Sequence, residues 1–356
     1  MAKLPHLAMA RRAALAGLAG WAAAVMLPAR AAAPAVLAQP AVVTPKALGA
    51  AMLAVTRAGA RLVAVGERGT ALLSDDHGAH WKQAAVPVQA TLTCVAFVDA
   101  RNGWAAGHLG IILRTEDGGQ TWRKQLDGIA AAALAVAAAE RSGDEAAIAS
   151  ARRLAEEGAD KPFFDLEFID AQRGFAIGAY GLLFATADGG RTWAPWGARL
   201  PNPKGLHLYG LRASGSTLVV AGEQGMLLRS TDGGGQFAAL ASPYKGSFFG
   251  LLRTRGGALV AHGLRGTAYR STDNGAHWDK LDSGLITLGA GLALPARGFV
   301  LMSQSGDVLL ARDDTAALQR IPAREPVPVA GVALAADGAL VLASMRGMRR
   351  LARAAR

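Results

Sequence analysis

The sequence is almost devoid of cysteine, with Cys94 as the single thiol in 356 residues. One thiol cannot build an internal disulfide framework or a multi-cysteine zinc site. Charged residues are also scarce, at 18%, whereas 51% of the residues are hydrophobic, which excludes an intrinsically disordered chain. After the N-terminal region, no uninterrupted apolar stretch is long enough for a transmembrane helix, so we expect a soluble mature chain.

Acidic residues are outnumbered. The 27 acids face 38 lysines and arginines, giving a formal net charge of +11. Such a balance fits an acidic partner, an anionic membrane surface or nucleic acid. Some of the cations lie in a basic N-terminal stretch before the uncharged segment Ala13–Leu27 and the cleavage pattern Ala29-Arg30-Ala31. These features predict a signal peptide over residues 1–31, with an uncleaved anchor as the alternative. We therefore expect a periplasmic or otherwise exported protein, by either the Sec or the twin-arginine route.

Glycine, by contrast, is abundant, with 44 copies, and much of it belongs to an internal repeat. Each repeat has Gly-x-x-Gly, an apolar run, Ser or Thr, x-Asp-x-Gly and then an aromatic residue. Successive copies begin about 40 residues apart, with one longer gap. The five clear copies carry these aspartates and aromatics: Asp76, Asp117, Asp188, Asp232, Asp273, Trp81, Trp122, Trp193, Phe237 and Trp278.

The repeat length predicts the architecture. About 40 residues with four short strands is typical of one β-propeller blade. Decayed copies beginning at Ser303 and Ser344 bring the number of blades to seven, so we predict an all-β, seven-bladed propeller over residues 32–356. The seventh blade has only three strand patterns. We expect the segment Ala41–Thr44 to supply its fourth strand and to close the ring.

One interruption separates the second and third repeats. Residues 127–161 are rich in alanine and show no strand pattern. They predict a helical insertion with helices at Ile129–Arg141 and Glu145–Glu157, the second capped by a box beginning at Ser142. The insertion could fold onto the blades or dock a partner.

The Ser/Thr-x-Asp-x-Gly-x-x-Trp element resembles the Asp-box of BNR-repeat propellers. We expect its carboxylate to accept backbone N–H bonds across a turn and its tryptophan to pack between blades. A metal or catalytic role is disfavoured, because five copies on different blades cannot converge on one site.

Together with the Gly-x-x-Gly turns and the segment Phe175–Gly181, the boxes make the chain similar to the Ycf48/Hcf136-like proteins. These are photosystem II assembly and stability factors and their non-photosynthetic relatives. The resemblance implies a non-catalytic exported scaffold, without cofactor or metal, that binds a membrane protein or membrane complex. In the photosynthetic members a basic patch does so. Nucleic-acid binding is disfavoured by the predicted export and by the lack of a basic-aromatic module. We expect no small-molecule substrate, and we expect a monomer.

Sialidases share the Asp-box, so a secreted glycoside hydrolase or glycan-binding propeller is the alternative. Retaining sialidases need an arginine triad and a Tyr–Glu pair. No Arg-Ile-Pro motif opens the propeller here, and only four tyrosines are present. Glu67 and Glu223 could form a carboxylate pair, although their positions predict exposed turn residues.

Propeller topology predicts the binding face. Turns between the second and third strands of a blade share one face, the near face, with the connections between blades. There we expect basic and aromatic residues to dock an acidic segment, the alternative being a solubilising surface of scattered charge. The predicted docking residues are Arg68, Tyr180, Arg265, Arg346, Lys204, Tyr244 and Lys245.

Overall fold

A computed structural model describes residues 34–296, 298–312, 317–322 and 327–351. The predicted signal peptide at residues 1–31 lies outside this part of the chain. No helix in the described part is long and apolar enough to cross a membrane.

The described residues form seven antiparallel sheets, six of four strands and one of three. Sheet one contains β1 (Met52–Ala58), β2 (Arg61–Gly66), β3 (Ala71–Ser74) and β4 (Lys82–Gln83). Sheet two contains β5 (Leu92–Phe97), β6 (Gly103–Gly107), β7 (Ile112–Thr115) and β8 (Arg123–Leu126). Sheet three contains β9 (Phe163–Phe168), β10 (Gly174–Gly178), β11 (Leu183–Thr186) and β12 (Ala194–Pro195). Sheet four contains β13 (Leu208–Ser214), β14 (Thr217–Gly222), β15 (Leu227–Ser230) and β16 (Ala238–Ala239). Sheet five contains β17 (Phe248–Arg253), β18 (Leu259–Gly263), β19 (Ala268–Ser271) and β20 (Asp279–Lys280). Sheet six contains β21 (Leu288–Leu294), β22 (Gly298–Ser303), β23 (Val308–Arg312) and β24 (Gln319–Ile321). Sheet seven contains β25 (Val329–Leu334), β26 (Leu340–Ser344) and β27 (Gly347–Leu351).

The sheets follow one another around a ring. We call the strands of each sheet A to D in chain order. Strand A of every sheet contacts strand A of the next, and β25 of the seventh sheet contacts β1 of the first. The A strands therefore surround the axis, and the sheets radiate outward as blades. Strand B is buried from end to end in four blades, and in the other three only its first residue is partly exposed. It reads as a continuous apolar run because blades cover both of its faces.

The predicted closure of the ring by a fourth strand at Ala41–Thr44 is wrong. Sheet seven has three strands in the described residues, and this segment lies against the first blade instead. The Ala41 N–H donates to the carbonyl oxygen of Val86 at 2.9 Å, and the Thr44 N–H donates to Oε1 of Gln83 at 3.0 Å. Pro45 then begins a 3-10 turn, Pro45–Gly49, so the chain bends away before it can extend along β27.

Residues 34–50, which we call the N-terminal strap, join three blades by contacts other than strand pairing. At one end, Leu37 is buried, and its carbonyl oxygen accepts a hydrogen bond from Lys124 of blade two at 3.4 Å. At the other end, the 3-10 turn contacts β27 of blade seven. The seam between blades seven and one is thus bridged by a strap and by the packing of β1 on β25.

The insertion contains α1 (Gly128–Ser142) and α2 (Glu145–Glu157). Asp127 caps α1, and Asp144, rather than the expected Ser142, caps α2 by accepting from two backbone amides. Ser142 instead ends α1. This helix buries Ala131 in the core shared by blades two and three and packs against β12, the outer strand of blade three. The insertion is therefore folded onto the ring.

Candidate functional site

The Gly-x-x-Gly turns connect strands B and C and adjoin the chain that enters strand A. In blade two, the His108 N–H donates to the carbonyl oxygen of Thr91 at 2.8 Å, and all seven blades repeat this bond. A Cβ built on Gly107 would lie 2.1 Å from that oxygen, which explains why glycine recurs here. The turns and the blade connections therefore share the near face.

The third residue of these turns, the second x of Gly-x-x-Gly, has a left-handed backbone. The φ angles of Arg68, Tyr180 and Arg265 are 52°, 54° and 55°. All three side chains are exposed, as is Arg346 in the shorter turn of blade seven. None of the three arginines has an ion-pair partner in the part of the chain that the structure describes.

The predicted docking residues lie on several blades. Arg68 and Arg346 belong to the adjacent blades one and seven. Arg265 belongs to blade five, which blade six separates from blade seven. Lys204 and Lys245 are exposed in the connections that follow blades three and four. Tyr244 is half-buried, with its ring 5.7 Å from Phe248, and its hydroxyl donates to the Leu264 carbonyl oxygen at 3.3 Å.

Sequence reasoning missed an aromatic row that runs from the near face into the central channel. Successive ring centroids of Tyr180, His207, Tyr209 and Phe249 are 4.7, 6.1 and 5.6 Å apart. Phe164 lies 5.2 Å from Tyr209. Alternation along strand A could have revealed this row. In blades three, four and five, the strand A residue that follows a buried Phe or Leu is aromatic, and its ring lies toward the axis.

The equivalent position is smaller around the rest of the ring. Leu53, Thr93, Gly289 and Ala330 occupy it in blades one, two, six and seven. At this position, aromatic side chains therefore occur only in blades three to five of the described residues.

Tyr180 is held in place by the insertion. The Nζ atom of Lys161 lies 5.3 Å from the centre of the Tyr180 ring and 3.0 Å from Oε2 of Glu157, the last residue of α2. Burial lowers the pKa of Lys161, but Asp160 and Glu157 outweigh this effect and hold the pKa above its ordinary value. Lys161 therefore stays charged and links α2 to the near face.

Glu67 and Glu223 are not the exposed turn residues that their positions predict. Oε1 of Glu67 accepts the Ala51 N–H at 3.0 Å, and Oε2 of Glu223 accepts the His207 N–H at 3.1 Å. Both side chains are half-buried, and each fixes the entry to strand A of its own blade.

Deeper in the channel, two carboxylates and an arginine converge on the inner strands of blades three and four. Nη1 of Arg212 lies 2.6 Å from Oδ2 of Asp165 and 3.6 Å from Oε2 of Glu167. The backbone N–H groups of Leu211 and Ala213 also donate to these carboxylates. Burial raises the pKa of Glu167. The arrangement lacks the open carboxylate pair that a glycosidase requires, because both carboxylates are held by Arg212 and backbone amides.

The Asp-box turns connect strands C and D on the opposite, far face. In blade two, the Thr115 hydroxyl donates to Oδ1 of Asp117 at 2.8 Å and accepts the Gly119 N–H at 2.9 Å. Asp117 also accepts the Thr121 N–H and hydroxyl. Burial raises the pKa of Asp117, but these hydrogen bonds outweigh it and hold the pKa below its ordinary value. The same pattern recurs at Asp76, Asp188, Asp232 and Asp273.

The box aromatics lie between blades. Trp122 is buried in the core shared by blades one and two, and its Nε1–H donates to the Gly119 carbonyl oxygen at 3.0 Å. The cores at other seams hold Trp81, Trp193, Phe237 and Trp278. In the described residues, no three His, Cys, Asp or Glu side chains are grouped so that they could hold a metal ion.

Comparison with known proteins identifies both the family and the fold. The sequence matches the family described as Photosynthesis system II assembly factor YCF48 over residues 73–155 and 150–287, more than half of the chain. A solved structure of YCF48 bound to D1 peptide has a TM-score of 0.62 at 16% identity, covering 87% of this chain and 94% of that one. The WD40 β-propeller domain of Doa1 gives 0.63 at 11% identity, with coverages of 88% and 95%. At these identities the likeness shows the fold alone, and it confirms the predicted β-propeller.

Two relatives match over a shorter stretch. Photosystem II stability/assembly factor HCF136, chloroplastic, of Cyanidioschyzon merolae (strain NIES-3377 / 10D) is 38% identical over 78 residues, covering 21% of this chain and 16% of that protein. Photosystem II assembly lipoprotein Ycf48 of Synechococcus sp. (strain CC9902) is 33% identical over 76 residues, or 21% of this chain and 23% of that protein. The aligned stretches thus span less than a quarter of either relative.

Proposed function

The chain belongs to the Photosynthesis system II assembly factor YCF48 family, and from this premise we propose that it is a non-catalytic scaffold that binds an acidic segment of a membrane protein on its near face. The YCF48 structure with a bound D1 peptide supports the class of partner, a segment of a membrane protein. Whether the partner belongs to a photosystem or to another membrane complex is a question for the experiment below.

One observation carries the proposal. Arg68, Arg265 and Arg346 project from turns on one face, and no acidic side chain among the described residues neutralises them. Left-handed turns held by three backbone hydrogen bonds present Arg68 and Arg265, so little backbone ordering is needed on binding. Exposed cations of this kind attract and orient an acidic segment.

The aromatic row supplies the apolar half of the proposed site. Tyr180 is 60% exposed, and it continues through His207 to the rings at the channel mouth. Tyrosine is enriched in protein interfaces because it covers a large area at a small cost in side-chain entropy. We expect apolar residues of the bound segment to lie on this row, while Lys204 and Lys245 extend the basic surface.

An exported location fits this function. The proposed signal peptide at residues 1–31 would place the propeller outside the cytoplasmic membrane, where it meets exposed segments of membrane proteins. The lipoprotein named among the relatives is consistent with this placement.

Reversing three near-face charges tests the proposal. The variant Arg68→Glu/Arg265→Glu/Arg346→Glu should lose its partner, with recovery from detergent-solubilised membranes falling about tenfold or more. The matched control Arg191→Glu/Arg255→Glu/Lys280→Glu changes the net charge equally, at exposed positions on far-face turns and an outer strand. Mass spectrometry of the wild-type eluate names the partner. Wild-type recovery by the near-face variant, with melting temperatures unchanged, would refute the site.

A further inference from the structure

In the described part of the chain, the seventh blade ends at β27 (Gly347–Leu351), which pairs with β26 over five residues. In the other six blades a fourth strand covers the third, and these outermost strands are only two to four residues long. Strand β27 is the third strand of its sheet, and no backbone hydrogen bond reaches its outer edge from the described residues. An unpaired edge of this length is a template for another strand.

We propose that the edge of β27 binds an extended acidic segment of a partner protein, which adds as the fourth strand of blade seven. The proposal deepens the proposed function, on which it rests for the class of partner. It adds a second contact of a different kind, made by the main chain rather than by side chains alone.

Charge decides the chemistry of the segment. The Arg349 side chain is exposed and has no acidic partner among the described residues. Arg350 is already engaged, because it pairs with Asp337 and donates to the His77 carbonyl oxygen at 3.1 Å. Opposite charges on neighbouring strands stabilise a pair, so a segment with carboxylates beside Arg349 fits this edge.

The same charges argue against a second copy of the chain as the occupant. Edge-to-edge pairing of two β27 strands would bring the arginines at 349 and 350 of both copies together. Like charges on paired strands are destabilising, and basic residues on an edge strand prevent such association.

The strap sets where pairing can begin. A Cβ built on Gly347 would lie 2.6 Å from the Leu48 carbonyl oxygen, so the strap occupies this end of the edge. The open part therefore runs from Met348 to Leu351, which matches the longest fourth strand in the other blades. At this end of the edge, Leu48 of the strap is 48% exposed and Met345 is 51% exposed, and an apolar residue of the added segment would cover them.

The test uses the full chain and a fluorescein-labelled octapeptide of alternating valine and glutamate, with polarisation as the readout. Two isomers of the peptide carry backbone N-methyl groups on alternate residues, one isomer on the valines and the other on the glutamates. The parent peptide should bind, and one isomer should bind about tenfold more weakly, since only one set of amides faces β27. Hydrogen exchange of the β27 amides should slow when the parent peptide saturates the protein.

Chain variants separate this edge from the near face. Arg349→Glu should weaken peptide binding about tenfold, whereas Lys280→Glu, on the outer strand of blade five, should leave it unchanged. Because the near face also attracts acidic segments, the comparison is repeated in the Arg68→Glu/Arg265→Glu background, where Arg349→Glu should still weaken peptide binding about tenfold. If only the near-face triple variant fails to recover the partner from solubilised membranes, this result supports the proposed function. It does so whatever the outcome of the peptide-binding experiment.

Four results would overturn the strand addition. Equal binding of both N-methyl isomers would show that charge alone holds the peptide. Unchanged binding by Arg349→Glu, or unchanged exchange of the β27 amides, would place the peptide elsewhere. Dimers that sedimentation detects and that the acidic peptide dissociates would assign the edge to a second copy.

Discussion

Replacing Asp117 by alanine tests the mechanics of the far-face turns. The change removes the acceptor for three groups: the Thr115 hydroxyl at 2.8 Å, the Thr121 N–H at 3.0 Å and the Thr121 hydroxyl at 2.6 Å. Net hydrogen bonds contribute about 0.5–1.5 kcal/mol each, and the two Thr121 donors lie where water can replace the carboxylate. We therefore expect a loss of about 1–3 kcal/mol in the free energy of unfolding, below the simple sum.

Denaturant unfolding measures this loss, and two variants control it. Asp117→Asn keeps one acceptor oxygen and should lose less, whereas Asp282→Ala removes an exposed carboxylate and should change nothing measurable. The folded-state pKa of Asp117 is lowered, so its contribution is present above the unfolded pKa and disappears as the pH falls through the folded value. The gap between wild type and Asp117→Ala should therefore narrow in acid. A variant as stable as wild type that no longer binds its partner would refute the structural role.

Two further predictions concern the near-face turns and the strap. Gly107→Ala places a Cβ 2.1 Å from the Thr91 carbonyl oxygen and should lower the melting temperature, whereas Gly49→Ala, with open space around it, should not. Equal melting temperatures would contradict this close approach as the reason for the recurring glycine. Deleting residues 34–44 exposes the contacts of Leu37 and removes the bond between Ala41 and Val86, which should cost about 3–5 kcal/mol in calorimetry or denaturant unfolding. An unchanged unfolding midpoint would mean that the strap does not hold the ring.

The fold was predictable because its strongest determinants are local and repeated. A Ser or Thr, an Asp and a Gly within five residues bond to one another, so each copy reports one turn independently of the rest. The seven copies of the repeat along the sequence then give the number of blades. The two helices were also predictable, although the cap of α2 was misplaced from Asp144 to Ser142, because both residues are good helix caps and only two positions separate them.

The failures concern contacts between distant segments. The path of the N-terminal strap depends on Gln83 and Val86 of blade one, about 40 residues away, which offer it better partners than β27 does. The aromatic row similarly combines side chains from three blades. Each ring could be assigned to the channel from alternation on its own strand, but their meeting depends on ring geometry that no single repeat encodes.

The position of the charges explains why the near face, and not the channel, should steer a partner. Asp165 and Glu167 lie beside Arg212, and Glu167 also interacts with the charge of Arg253, so two carboxylates oppose two guanidinium groups. A balanced cluster produces little field beyond its immediate neighbours, whereas the near-face arginines have no such compensation. Exposed charges are screened beyond about 8 Å at physiological ionic strength. Long-range attraction should therefore disappear in moderate salt, while contacts with the aromatic row should persist once the segment is bound.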